Sequence, residues 1–130
     1  MPLAGVIKAE IEREGPIAFS RFMELALYHP EYGYYLRERE RFGRAGDFYT
    51  AEQLQPVFGI LIAAIIRSLC EEMGSPADFT VVELGAGREE MREALSAFRY
   101  VPVDIGRGAL PDRFTGVVFT NEFFDALPVE

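Results

Sequence analysis

The chain has 130 residues, a formal net charge of −8 and 49% hydrophobic residues. This length and this composition are typical of one globular domain and not of a disordered chain. The acidic balance argues against a nucleic-acid-binding protein, because phosphate contacts need clustered Lys and Arg. No run of about 18 apolar residues is present, and the single cysteine cannot form an internal disulfide. We therefore expect a soluble, cytoplasmic protein with neither a nucleic-acid nor a membrane partner.

The first half of the chain predicts helices. Apolar residues at helical spacing indicate a short helix over residues 3–14 and a second helix over residues 17–28. The second helix ends at His29-Pro30, because the residue before a proline is disfavoured in the α region. Residues 56–73 form a long predicted helix that is apolar on more than one side, so we expect it to be largely buried. Residues 1–75 together are predicted to form an N-terminal helical extension.

The second half of the chain predicts an α/β fold. The predicted order is a strand over residues 79–84, a glycine turn, a helix over 88–98, and strands over 100–104 and 117–120. A strand, a glycine turn, a helix and a strand make a βαβ unit, which implies a parallel sheet. Residues 76–130 are therefore predicted to be the first part of a Rossmann-like sheet. Ligands of such sheets bind at the carboxyl ends of the strands.

The first candidate binding motif lies where the first predicted strand turns into the helix. Gly85 and Gly87 follow Glu83 there, and glycines let a ligand approach the backbone closely. The expected helix N-terminus would add free N–H groups and a positive dipole end. A tight structural turn is the alternative interpretation of the same residues.

Asp104 is the second candidate, 21 residues after Glu83. An acid at this distance is placed to accept hydrogen bonds from ribose hydroxyls, both in dinucleotide enzymes and in class I methyltransferases. The methyltransferase arrangement is favoured by an acid before the glycines. It is also favoured by Glu90, which stands where a dinucleotide fingerprint needs a small residue and would repel a pyrophosphate.

A third group of polar residues follows the third predicted strand. Asn121 and Glu122 stand where catalytic residues of parallel sheets are found, and a carboxylate pairs well with a guanidinium. The alternative is that Asn121 and Asp125 cap the next helix.

Several blocks of the sequence resemble the MidA-like family of methyltransferases, which includes the mitochondrial methyltransferase needed for respiratory complex I assembly. The first long block runs from Phe22 to Tyr35 and the last from Asn121 to Pro128. Similar blocks lie between them in the same order, at residues 46–51, 56–59 and 82–88. The resemblance covers nearly all of the chain from Gly15 onwards.

The resemblance implies a class I methyltransferase fold with an N-terminal helical extension that covers the cofactor and the substrate. It implies S-adenosyl-L-methionine as cofactor, no metal, and methyl transfer to a protein partner, with arginine as the expected target. Asn121 and Glu122 are the implied catalytic residues. The implied cofactor-binding residues are Gly46, Asp47, Thr50, Glu83, Gly85 and Gly87, to which the spacing adds Asp104.

Three features depart from the family pattern. Glu89 stands where the glycine block normally has another glycine. The segment from Asp104 to Val117 is too short for the helix and edge strand of a full class I fold. The chain stops at Glu130, so we expect a shortened front half: a fragment of a longer protein or a reduced family member. A non-catalytic cofactor-binding or assembly module is therefore the alternative function, and an oligomer that covers an open sheet edge is one expected arrangement.

Overall fold

The computed structural model of the chain describes residues 2–36 and 56–130. Its helices and strands are α1 (Leu3–Glu14), α2 (Phe19–Tyr28), α3 (Pro56–Glu72), β1 (Phe79–Leu84), β2 (Arg99–Val103), β3 (Thr115–Thr120) and a 3₁₀ helix at Phe124–Ala126. Residues 2–36 and 124–130 belong to one compact unit, and residues 56–123 to another. The organisation into segments 1–75 and 76–130 stays a prediction. None of the described helices is long and apolar enough to cross a membrane.

In the first unit, an arginine of α2 clamps a carboxylate of α1. The Arg21 guanidinium donates to both oxygens of Glu10, from Nε to Oε1 at 2.7 Å and from Nη2 to Oε2 at 3.1 Å. A bidentate pair of this kind fixes geometry as well as adding attraction. These hydrogen bonds hold the pKa of the Glu10 carboxyl below its usual range.

The block His29–Tyr35 is a tightly folded turn in the same unit. The His29 Nδ1 accepts the N–H groups of Glu31 and Tyr32, each at 3.2 Å. The Gly33 N–H donates to the His29 carbonyl at 2.8 Å, and a Cβ on Gly33 would lie 2.6 Å from that carbonyl oxygen. Only glycine fits such a close approach. The histidine, the proline and the glycine of this block therefore build a turn.

The second unit is built on three parallel strands in the order β2-β1-β3. β1 is the central strand, and its Val81 and Val82 are fully buried. This confirms the predicted parallel α/β sheet with a Rossmann-like strand order. β3 pairs with β1 on the side away from β2, so the short connection after β2 leaves the sheet continuous. β2 and β3 are the edges of the described sheet, and coverage of such an edge by a partner stays a prediction.

The helix predicted over residues 88–98 is wrong. The chain there forms a succession of turns. They are closed by hydrogen bonds between residues three apart in the sequence, such as Arg92 N–H to Glu89 O and Phe98 N–H to Leu95 O, both at 3.0 Å. The positive φ of 59° at Glu89 prevents a right-handed helix from running through that residue, and the chain continues from there in turns to residue 97. The segment nevertheless packs well, since Met91 and Leu95 are fully buried against β1 in the core.

The expectation that the long helix is largely buried is also wrong. One face of α3 is buried, through Gly59, Ala63 and Ile66. Large apolar residues on other sides are exposed, namely Val57, Ile60, Leu61, Ile65 and Leu69. A helix that is apolar all round needs partners on several sides. The core cluster of the described unit supplies partners to one side only.

Leu95 tests whether the turn segment anchors the sheet. We expect Leu95→Ala to lower the free energy of unfolding by about 2–5 kcal/mol, because it removes a fully buried side chain and leaves a cavity. The matched control is Leu110→Ala at a position that is 59% exposed, where a change within about 0.5 kcal/mol is expected. Urea denaturation followed by circular dichroism measures both. Equal losses in the two variants would contradict the packing described for residues 88–98.

Candidate functional site

The carboxyl ends of the three strands lie side by side, and we call this end of the sheet its carboxyl edge. Leu84, the last residue of β1, is in register with Val103 of β2 and with Thr120 of β3. Because the strands are parallel, the chain leaves all three at the same edge. The predicted candidates Gly85, Asp104 and Asn121 each come directly after a strand end. The carboxyl edge expected from the sequence is therefore present.

The glycine turn is folded onto the end of β2. The N–H groups of Gly85 and Ala86 donate to the Val103 carbonyl at 2.9 and 3.2 Å. Gly85 and Gly87 have φ values of +69° and +55°, which L side chains rarely adopt. No regular helix follows, so the helix dipole expected at this turn is absent from the described structure. The polar groups of this turn are therefore its own backbone N–H groups.

Asp104 closes this turn. Its Oδ2 accepts the Gly87 N–H at 2.6 Å and its Oδ1 accepts the Ile105 N–H at 2.7 Å. The tight-turn interpretation therefore has a physical basis. The carboxylate can still bind a ligand, because its two oxygens offer about four acceptor positions. Its side chain is 26% exposed, so the remaining positions are within reach of solvent.

Glu83 is a carboxylate inside the core. It is 4% exposed and lies on the same face of β1 as Val81, two residues earlier. The Tyr100 hydroxyl of β2 donates to its Oε2. Burial, and then the hydrogen bond to Glu83, raises the pKa of Tyr100. The sequence analysis missed Tyr100, although a tyrosine in a strand beside a buried acid is a recognisable signal.

The residues after β3 meet the glycine turn through an aromatic ring. A Cβ on Gly85 would lie 2.7 Å from Cδ2 of Phe123, so the ring packs directly on that glycine. Phe123 was not among the predicted site residues. Asn121 is half-buried, and Glu122 is exposed with a φ of +53°. Asp125 lies inside the 3₁₀ helix Phe124–Ala126, so it is not the cap of that helix.

Arg107, which was not among the predicted site residues, contacts both the glycine turn and Asp104. Arg107 pairs with Asp104 through two backbone hydrogen bonds of 3.0 Å. Its guanidinium donates to the Gly87 carbonyl and lies 3.5 Å from both Asp104 Oδ2 and Glu89 Oε1. The signal in the sequence was an arginine between two glycines, three residues after the acid. Arg107 therefore contacts the glycine turn and the acid at once.

The remaining predicted cofactor residues, Gly46, Asp47 and Thr50, lie outside the described residues. The ligand-binding and catalytic roles of every predicted site residue stay predictions. Within residues 2–36 and 56–130, no group of three or more His, Cys, Asp or Glu side chains is arranged to hold a metal ion.

Known proteins resemble this chain. No protein-family model matches it. The protein arginine methyltransferase NDUFAF7 homolog of Drosophila melanogaster is 42% identical over 86 residues, which are 66% of this chain and 20% of that protein. The human protein arginine methyltransferase NDUFAF7 is 33% identical over 87 residues, 67% of this chain and 20% of that protein. Both are named as mitochondrial, and a cytoplasmic location for this chain stays a prediction.

Two crystal structures of COG1565 superfamily proteins from Burkholderia thailandensis also match. One is bound to S-adenosyl-homocysteine, is 33% identical and superposes with a TM-score of 0.80 over 97% of this chain and 42% of that one. The other is 32% identical, with a TM-score of 0.64 over 97% of this chain and 40% of that one. This chain thus spans less than half of the solved relatives and about a fifth of the curated ones. Over the length that it shares with these proteins, the chain belongs to the MidA-like methyltransferase family.

Proposed function

We propose that this chain binds S-adenosyl-L-methionine at the carboxyl edge of its sheet, as the cofactor-binding front part of a protein methyltransferase. The observation that carries the proposal is its superposition, over 97% of its length, on a relative bound to S-adenosyl-homocysteine. The candidate residues of the two strand ends support it, because they lie together at the edge where such sheets bind ligands.

The residues at this edge fit the proposed cofactor. A ribose diol needs hydrogen-bond acceptors, and Asp104 has accepting capacity left after its two backbone partners. The positive φ values of Gly85 and Gly87 bring backbone to the edge without Cβ atoms. Phe123 adds an aromatic surface beside Gly85. Glu83 is buried and receives the Tyr100 hydroxyl, so it also fixes the strand end, and its contact with the cofactor stays a prediction.

We further propose that the methyl acceptor is an arginine side chain of a partner protein. The names of the Drosophila and human relatives support this choice of target. The cofactor supplies an electrophilic methyl group when bound. The chain's own task is then to hold a guanidinium nitrogen in line with it, and Glu122 is an exposed carboxylate suited to a bidentate pair.

The backbone at Glu122 is consistent with such a task. A non-glycine residue with positive φ is strained, and strain of this kind concentrates at functional sites. We assign Asn121, half-buried directly before it, to orienting the acceptor by its side-chain amide. Charge on Glu122 would localise the guanidinium, and no metal is needed for that step.

A non-catalytic module is the second candidate. The observation that favours it is that both oxygens of Asp104 already accept backbone N–H groups, from Gly87 and Ile105. These bonds have a structural use without any cofactor, so the fold could persist in a protein that only binds partners. Methyl transfer by the chain or by its full-length form separates the two candidates.

Asp104→Asn tests the cofactor site. We expect its dissociation constant for S-adenosyl-homocysteine to rise by about tenfold, which corresponds to about 1.4 kcal/mol, because an amide nitrogen cannot accept a hydrogen bond. Isothermal titration calorimetry measures it. The control is Asp112→Asn, an exposed acid between β2 and β3, for which no change is expected. Absence of binding heat from folded wild-type protein at millimolar ligand would reject the proposed cofactor.

Glu122→Gln tests the acceptor site. We expect methyl transfer to peptides with one central arginine to fall by on the order of a hundredfold in kcat/KM, because the neutral amide cannot hold the guanidinium in line. Cofactor affinity should stay at the wild-type value. Transfer of radiolabelled methyl groups measures the rate, with Glu130→Gln as a control at an exposed carboxylate and lysine peptides as a control for the target. Equal transfer by Glu122→Gln and wild type would contradict the proposed role.

A further inference from the structure

We infer that Glu89 and Arg107 form an ionic clasp that holds the glycine turn in its ligand-receiving shape. Arg107 and Glu89 are then positioning residues: they act through Gly87 and Asp104 and need not touch the ligand. The inference rests on the proposed cofactor site and adds two residues to it.

The clasp begins with a strained backbone. Glu89 has a φ of +59°, a conformation that glycine adopts freely and a glutamate does not. Its N–H donates to the Ala86 carbonyl at 2.8 Å, so Glu89 is the last residue of the turn that contains Gly87. Something in the surroundings has to stabilise a residue held in this way.

The Glu89 side chain supplies that stabilisation through two arginines. Its Oε2 accepts the Arg92 Nε–H at 2.8 Å, and its Oε1 lies 3.5 Å from the Arg107 Nη1. The Glu89 side chain is only 25% exposed, so its ion pairs are less screened than those on the open surface. Both carboxylate oxygens of Glu89 therefore face arginine side chains of this chain.

Arg107 connects Glu89 to the proposed ligand-binding residues Gly87 and Asp104. Its Nη2 donates to the Gly87 carbonyl and lies 3.5 Å from Asp104 Oδ2, the oxygen that accepts the Gly87 N–H. One guanidinium thus contacts the carbonyl of the glycine and the carboxylate that binds the same glycine's N–H. The orientation of the Asp104 carboxylate depends on it.

The cluster extends to the second acid of the site. Arg92, the other partner of Glu89, lies over the Tyr100 ring at 5.3 Å, and the Tyr100 hydroxyl donates to Glu83. A continuous set of contacts therefore runs from Asp104 to Glu83 through the clasp. A single exposed ion pair shifts an equilibrium by about fivefold or less, but a connected set with a shared geometry has a larger effect.

The test is the affinity for S-adenosyl-homocysteine in five proteins, measured by calorimetry. We expect Arg107→Ala to bind about five- to tenfold more weakly than wild type, since it loses two ion pairs and a charged hydrogen bond. Glu89→Gly should lose less affinity than Arg107→Ala, because glycine adopts the positive φ without support from the clasp. Adding Arg107→Ala to Glu89→Gly should then cost less than Arg107→Ala costs alone. Arg113→Ala, at an exposed arginine before β3, is the matched control and should change nothing.

Two further readouts separate positioning from folding. Wild-type affinity should fall between about 0.05 and 0.5 M salt, while that of Glu89→Gly stays flatter, because salt screens the ion pairs. In the free proteins, hydrogen exchange at the Gly87 N–H should be faster in Arg107→Ala than in wild type, which needs no ligand to observe. If Arg107→Ala does not fold, Arg107→Lys is measured instead, since it keeps the charge and loses the forked contacts.

The outcomes are distinguishable. Equal affinity and equal Gly87 exchange in wild type and Arg107→Ala would overturn the clasp and leave the proposed cofactor site standing. Additive losses in the double variant would also overturn it. A folded wild-type protein that does not bind S-adenosyl-homocysteine would overturn the proposed function, and the clasp's role in ligand binding with it.

Discussion

The hydrogen bond from the Gly87 N–H to the Asp104 carboxylate joins the two strand ends that make the candidate site. It connects the turn after β1 to the residue after β2, and the Val103 carbonyl adds two more hydrogen bonds to the same turn. Without this closure the glycines would be free to leave the sheet edge, since glycine has the widest backbone freedom. The position of Phe123 over Gly85 depends on the same turn, because the ring packs on the glycine that the turn holds in place.

The two acids of the candidate site have different environments. Glu83 is buried in the core face of β1 and receives the Tyr100 hydroxyl, so its cost of burial is offset by a hydrogen bond within the sheet. Asp104 is partly exposed at the edge, where its spare acceptor positions face solvent. Under the proposed function, the partly exposed Asp104 accepts hydrogen bonds from the ligand, while Glu83 connects β1 to β2 through Tyr100. The clasp through Glu89 and Arg107 would keep their separation constant.

The sequence predicted those features that depend on residue type along one strand or one turn. The β-branched run at 79–84, the glycines after it and the later strands indicated a parallel sheet, although the βαβ argument also used a helix over 88–98 that the structure does not have. Prediction from the sequence failed where the structure depends on a backbone angle or on a contact between distant segments. The positive φ at Glu89 interrupts the helix expected over 88–98, and hydrophobic periodicity carries no information about that angle. The roles of Arg107 and Phe123 follow from contacts between segments that no local pattern contains.

Residues with a strained backbone occur in two parts of the candidate site, after β1 and after β3. Among the described residues, three that are not glycine have positive φ: Ser75, Glu89 and Glu122. Ser75 lies in the turn after α3, where its N–H donates to the Cys70 carbonyl, so a helix end accounts for it. Glu89 and Glu122 follow the ends of β1 and β3, and both are glutamates. The carboxylate of Glu89 is stabilised by arginines of this chain. Under the proposed function, an acceptor arginine would give the Glu122 carboxylate a partner of the same kind.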